Sequence, residues 1–411
     1  MNHLGIVSIF LLGSLSISSC EWLGLDTPGG DEPVEAVPLT LTKAQEAYVT
    51  NGNAFAVKLL AEMDKVSEKP GYFFSPMSLS MALTMLLNGT KGEAYAELGA
   101  ALGYGADFDI GLVNDYCRQF IERAPTWDPE VSVSIANALV TNQDYTIKAP
   151  FKATLQDSYN AEVSNRDFSK KATLDYINDW CKKQTRGMIP KILETLSAED
   201  ILYLINAIYF KGTWASQFKA SETQDSDFFC ADGSKQTVKM MHQTLSNPVR
   251  KKGSVLSLEM YYGNATFVMQ IILPPLGEMG ETIAIIEKDG WDSFFTDSDY
   301  VGSQADVYFP RFEQNCSFEK LPLQEVGIHR VLNGTADFSL ICDRPLMINK
   351  VIHKTSIKLD EVGTEAAAIT LIGMETAPSP PTIFRADHPF LYAIVERTTG
   401  AIMFLGKYGG D

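Results

Sequence analysis

The sequence predicts one large α+β domain. Segments with helical spacing of apolar residues crowd its first half and strand-like segments its second, the order of an α+β fold rather than of alternating βαβ units. From residue 43 to residue 411 no Pro-, Gly- or Ser-rich break divides the 411-residue chain. A composition of 45% hydrophobic and 21% charged residues suits an ordinary packed core.

The elements follow in order. Phe55, Leu59, Leu60 and Met63 recur at helical spacing and predict a helix over 53–64. Residues 78–87 are almost wholly apolar, so this helix is expected to be buried. Further helices are expected at 93–102, 109–123 and 174–185. Strand-like runs occupy 131–141, 201–209, 255–261, 266–273, 305–309, 348–359, 391–395 and 401–406.

The segment after residue 359 is unlike the rest. Glu361-Val362-Gly363-Thr364-Glu365-Ala366-Ala367-Ala368-Ile369-Thr370 is rich in Ala, a good helix former, yet shows no N-cap signal before Gly363. It runs into Gly373-Met374-Glu375-Thr376-Ala377-Pro378-Ser379-Pro380-Pro381, where proline stops a helix and a central strand alike. At period two, Thr364, Ala366, Ala368, Thr370 and Ile372 share one face, with Glu365, Ala367, Ile369 and Leu371 on the other. Small side chains at the leading end would let such a strand slide between two others. The segment reads as a loop able to become a strand.

Little else in the chain suggests chemistry. There is no G-x-S-x-G elbow, no H-E-x-x-H pair and no P-loop, so a secreted hydrolase has no motif in its favour. His3, His242, His329, His353 and His388 are scattered at spacings that assemble no metal site. No cofactor and no enzymatic activity are expected. The net charge of −17 argues against a nucleic-acid partner, since phosphate binding needs clustered Lys and Arg. Cys117, Cys181, Cys230, Cys316 and Cys342 are odd in number and lack a C-x-x-C pair, so they are expected to be buried free thiols, with one disulfide as the alternative in an exported protein.

Several motifs resemble those of the serpin family, in the family's order. Phe74-Ser75-Pro76-Met77-Ser78-Leu79 with Asn88-Gly89-Thr90-Lys91-Gly92-Glu93 is similar to its second-helix signature. Ile177-Asn178-Asp179-Trp180 with Thr185-Arg186-Gly187-Met188-Ile189-Pro190 resembles its helix F. Leu204-Ile205-Asn206-Ala207-Ile208-Tyr209-Phe210-Lys211-Gly212-Thr213-Trp214 resembles its central strand. Phe309-Pro310-Arg311-Phe312, Val326-Gly327-Ile328, Ala336-Asp337-Phe338-Ser339 and Asp387-His388-Pro389-Phe390 complete the set, and the hinge is Glu361, Gly363, Thr364, Glu365, Ala366, Ala367 and Ala368.

The resemblance implies three β-sheets, about nine helices and an exposed reactive-centre loop. It implies a suicide substrate that traps a serine, or papain-like cysteine, endopeptidase as an acyl complex while the cleaved loop enters the central sheet. Ser75, Ser78, Asn206 and His353 would form the polar gate for that entry, with Trp214 and Lys354 at the top of the sheet. Counting from the hinge puts the scissile residue at Ala377, but Pro378 follows it. Counting back from Asp387 gives Pro378. Thr376–Ala377 is therefore ranked first, with Glu375–Thr376 and Met374–Glu375 behind. Small residues there suit an elastase-like or subtilisin-like target, a papain-like one being the alternative. The chain is expected to act as a monomer. A non-inhibitory binding module of the same fold is the second reading.

The N-terminus predicts export. The apolar run 4–17 is too short to span a bilayer and reads as a signal-peptide core. Leu15-Ser16-Ile17-Ser18-Ser19-Cys20 resembles a bacterial lipobox, which would make 1–19 a leader, Cys20 the lipidated residue, 20–42 a tether and 43–411 the domain. No Lys or Arg lies in the first nineteen residues, which departs from the usual signal and leaves plain secretion as the alternative. A lipid anchor would be the sole membrane contact, at a bacterial cell surface or in the periplasm.

Overall fold

Thr42 begins the first helix with a reciprocal cap: its hydroxyl accepts from Gln45 N–H while the Gln45 side chain accepts from Thr42 N–H. That helix spans Lys43–Val66, starting ten residues earlier than the expected 53–64, and buries Tyr48 and Val49 as well as the periodic residues. The computed structural model describes residues 39–105, 107–318, 321–364 and 380–410. Within them lie eight α-helices and three β-sheets, the α+β architecture the sequence predicts.

Ser75 and Pro76 start the second helix, Pro76–Leu87, as N-cap and first-turn residue, and nearly all of it is buried. Gly92–Ala101, Ile110–Arg123 and Lys171–Gln184 match expected helices. Ala149–Tyr159, Met279–Asp289 and the short Ser293–Thr296 were not foreseen.

One seven-stranded sheet forms the back of the core, in the order Tyr72–Phe74, Ala401–Tyr408, Phe390–Glu396, Phe267–Leu273, Val255–Tyr262, Val249–Lys252, Asp299–Gly302. A four-stranded sheet runs Thr382–Arg385, Ala305–Pro310, Lys235–Leu245, Gln224–Phe229. The third sheet positions the site. Its order is Phe312–Phe318, Ile348–Leu359, Leu202–Thr213, Val131–Asn142, Glu162–Arg166, with the two-residue strand Gly363–Thr364 also paired to Leu202–Thr213.

The central strand, Leu202–Thr213, is buried on both faces. Leu202, Leu204, Ile208 and Phe210 face the main core, while Tyr203, Ile205 and Ala207 pack with Ile177, Cys181 and Ile189 under the helix Lys171–Gln184. This explains its almost unbroken apolar run, where a half-exposed strand would alternate. The five described cysteines are free and buried.

Candidate functional site

The third sheet has an incomplete seam. Ile348–Leu359 and Leu202–Thr213 lie side by side and parallel, and their ladder runs from the Ile348–Leu202 pair to the Thr355–Ile208 pair. Both strands continue beyond it. At the far end Gly363 pairs with Thr213 and Thr364 with Gly212, antiparallel, so a new strand has begun beyond the older ladder, with Tyr209, Phe210 and Lys211 between the two.

Gly363 is required at that start. Its φ of +141° is one that L side chains rarely adopt, and a Cβ there would meet Gly212 O at 2.3 Å and Trp214 N at 2.7 Å. The chain entering it is firmly held. Trp214 N–H donates to Val362 O (2.8 Å), and the indole Nε1–H donates to Asp360 O (3.1 Å). The indole also stacks on Tyr262 with ring centroids 4.3 Å apart. Phe218 N–H donates to Glu361 O (2.8 Å). The buried Glu361 carboxylate accepts from Thr223 Oγ1 at 2.8 Å and has the Arg311 guanidinium 3.6 Å away. These contacts make a fixed pivot.

Beneath the closed part of the seam lies a polar cluster inside an apolar core. Asn137, Asn206 and His353 stand at matched positions on three neighbouring strands. Asn206 Nδ2 donates to Ser78 Oγ (2.6 Å), Asn137 Oδ1 (2.9 Å) and Ser78 O (3.0 Å). Ser75 N–H donates to His353 Nε2 at 2.9 Å, and Ser75 Oγ donates to Met403 O at 2.6 Å. A backbone N–H can only donate, so Nε2 is bare; Nδ1 then carries the proton and donates to Asn206 Oδ1 at 2.7 Å. This last bond crosses the seam. Parting the two strands breaks it.

Burial pulls the His353 imidazole down from 6.5 to about 3. The unfolded chain therefore takes up a proton below pH 6.5, while the folded one resists until about pH 3. The stabilisation is complete above pH 6.5 and is lost as pH falls through that window, at up to about 1.4 kcal/mol per pH unit. Urea titrations of the wild type and His353→Gln should differ by this slope, the wild type losing stability more steeply as pH falls. Parallel curves from pH 6.5 to 3.5 would refute it.

Ser75, Ser78, Asn206 and His353 thus come together, and Trp214 lies at the pivot. Lys354 does not join Trp214 at the top of the sheet, where the resemblance put it. It pairs with Ala207, roughly 20 Å down the strand from the pivot, and its ammonium donates to Lys191 O at 2.6 Å. Period two sends it to the opposite face from His353, toward the segment that follows the helix Lys171–Gln184. Cys20, Glu365, Ala366, Ala367, Ala368, Met374, Glu375, Thr376, Ala377 and Pro378 lie outside the described residues.

Sequence reasoning missed Asn137, Thr223 and Arg311 as members of the site. Asn137 alone left a trace, a single amide in an otherwise small and apolar stretch. Its Nδ2 is buried with no partner among the described residues, a cost of about 1–3 kcal/mol.

The chain matches the family model described as Serpin (serine protease inhibitor) over residues 50–409. It is 31% identical to alpha-1-antitrypsin 1-1 of Mus musculus over 377 residues, covering 89% of each chain. It is 31% identical to leukocyte elastase inhibitor of Sus scrofa over 371 residues, 86% of this chain and 96% of the relative. Among solved structures, the native state of tengpin, a thermophilic serpin, superposes with a TM-score of 0.81 at 25% identity, over 92% of this chain and 98% of that one.

Proposed function

This chain belongs to the serpin family, and on that premise we propose that it is an inhibitory serpin, which traps a serine endopeptidase by inserting its own cleaved loop into the third sheet. Serpins act as pseudo-substrates, and the chain is not an enzyme. One observation carries the inhibitory reading: the strand Gly363–Thr364 already occupies the first two positions beside Leu202–Thr213.

Continuing that register would set residue 374 opposite Leu202, so that a strand of 363–374 would fill the full length of the 12-residue central strand. Even-numbered residues would then meet the main core and odd-numbered ones the helix Lys171–Gln184. The even set begins Thr364, Ala366, Ala368, Thr370, all small enough to enter between packed layers.

The energetics favour insertion. A strand entering between two parallel neighbours exchanges one ladder for two antiparallel ones, a gain of on the order of ten hydrogen bonds at roughly 1 kcal/mol each. That rivals the whole stability of an ordinary domain, about 5–15 kcal/mol. The uncut chain is therefore held kinetically, by the closed ladder and the His353–Asn206 bond across it.

The protease's serine attacks the carbonyl carbon of Thr376, and the C–N bond to Ala377 breaks. Thr376 is left as an ester on the enzyme and Ala377 as a new N-terminus. Insertion then carries the ester-bound enzyme away before water can release it. Small residues around this bond suit an elastase-like or subtilisin-like pocket, and similarity to leukocyte elastase inhibitor supports that choice over a papain-like target. Mixing the purified chain with pancreatic elastase and subtilisin is expected to give an SDS-stable adduct at the summed mass. Cleaved chain without adduct, across a panel of serine and papain-like proteases, would refute inhibition.

The protein acts as a monomer, exported and tethered through Cys20 to a bacterial cell surface or periplasmic membrane, with 20–42 as the spacer. The lipobox-like Leu15–Cys20 pattern supports this. Cys20→Ser should move the chain from the membrane to the soluble fraction, and an unchanged distribution would refute the anchor.

A further inference from the structure

We propose that the outer face of the four-stranded sheet, at its join with the seven-stranded one, is a second docking surface for the protease that attacks the loop. It would receive an apolar patch rimmed by carboxylates. The inference rests on the inhibitory reading above and adds a recognition surface outside the loop.

The strands Asp299–Gly302 and Thr382–Arg385 are the end members of their respective sheets. Thr382 Oγ1 donates to Val301 O at 3.0 Å and ties the two edges together. Around this tie stand three large apolar side chains open to solvent: Tyr300 at 64% exposure, Ile383 at 62% and Val301 at 42%.

Beside Ile383, on the same face, Arg385 lies over the Tyr308 ring at 3.7 Å. Tyr308 in turn stacks on His242 with centroids 4.4 Å apart, and His242 Nε2 is 2.7 Å from Asp306 Oδ1. Tyr300 is pinned as well: the Arg250 guanidinium sits 4.1 Å over its ring and donates to its hydroxyl at 2.6 Å. Tyr and Arg dominate the energetics of protein interfaces, and here both are already held in place, so little rotamer entropy remains to be lost on binding.

Charge selects the partner. Asp299 stands opposite Lys251, and Arg250 and Arg385 outnumber the one further carboxylate of the face, Asp306, so the rim is net basic on a chain of net charge −17. A basic rim around apolar centres fits an acidic rim around an apolar patch. Reach supplies the rest. Ile383 is six residues beyond Ala377, at most roughly 20 Å of extended chain. An interface side of about 800 Å² is roughly 30 Å across. A protease holding Thr376–Ala377 in its active site therefore lies within reach of this face.

The test uses the full chain and its Ile383→Glu and Arg385→Glu variants. Each is reacted with whichever of pancreatic elastase, neutrophil elastase or subtilisin forms adduct fastest with the wild type. Both variants should associate at least tenfold more slowly, at unchanged stoichiometry of inhibition and unchanged melting temperature, and Arg385→Glu should also flatten the salt dependence of the rate. Rates within twofold of wild type, with adduct still formed, would overturn the docking surface and leave the inhibitor intact. Absence of adduct with every protease would overturn both. A wild-type dimer in sedimentation that Ile383→Glu dissociates would assign the face to a second copy of the chain and overturn the proposal as stated.

Discussion

Thr364→Arg should convert the inhibitor into a substrate, raising the number of chains consumed per protease inactivated at least tenfold. Position 364 stands opposite Gly212, at the second position of the new strand. A Cβ added to Gly212 would meet Tyr262 at 2.9 Å and Phe210 at 3.1 Å, so this face of the sheet has no room for a long side chain. An arginine held there would place an unpaired charge against buried aromatic rings, a cost of several kcal/mol that displaces the strand's first residues and must be met again as the loop inserts. Each 1.4 kcal/mol added to the insertion barrier slows it tenfold, while hydrolysis of the ester proceeds at its own rate. Hydrolysis then wins, and the enzyme is released beside a cleaved chain. Active-site titration and a denaturing gel measure both products. Undiminished adduct from Thr364→Arg would refute insertion as the trapping step.

The same local detail governed what could be read from the sequence. Long apolar segments gave themselves away: Pro76–Leu87, Leu202–Thr213 and Ile348–Leu359 are buried on two faces or pack as amphipathic units, and their patterns are continuous or periodic. Elements stabilised by partners distant in sequence did not. Tyr72–Phe74 is a three-residue strand that exists because Leu405, Gly406 and Lys407 pair with it. Lys235–Leu245 carries Lys235, Gln236, Lys239 and Gln243 on a partly exposed sheet, so its pattern reads as polar. The first helix begins with a capping box, and the polar Asn51-Gly52-Asn53 inside it masked its N-terminal half.

The site divides along similar lines. Ser75, Ser78, Asn206 and His353 could be named only because the surrounding motifs resemble a family. Nothing in their spacing predicts that Ser75 N–H and Asn206 Oδ1 would take the two ring nitrogens of His353. Of the hinge, Glu361, Gly363 and Thr364 are described, and Gly363–Thr364 pairs as a strand in line with the period-two pattern read from its small residues; Glu365 to Ala368 lie outside the described residues. The anchors of the hinge, Thr223 and Arg311, were invisible: they reach Glu361 from elements 138 and 50 residues away. Lys354 was misplaced because the resemblance alone put it at the top of the sheet, whereas the register sets it opposite Ala207.

Cutting the loop is the second large effect, and it bears on the premise beneath the others. A gain of about 10 kcal/mol on insertion, against an unfolding entropy of about 2.1 cal/mol/K per residue over roughly 370 residues, raises the melting temperature by about 10–15 °C. Limited proteolysis between residues 365 and 379 with an enzyme that the chain does not trap yields the nicked form, and mass spectrometry fixes the bond. Its thermal unfolding, followed beside that of the intact chain, should show this rise. A nicked chain that melts at or below the intact one would mean that no strand enters the sheet, and the protein would then be a binding module on the same scaffold.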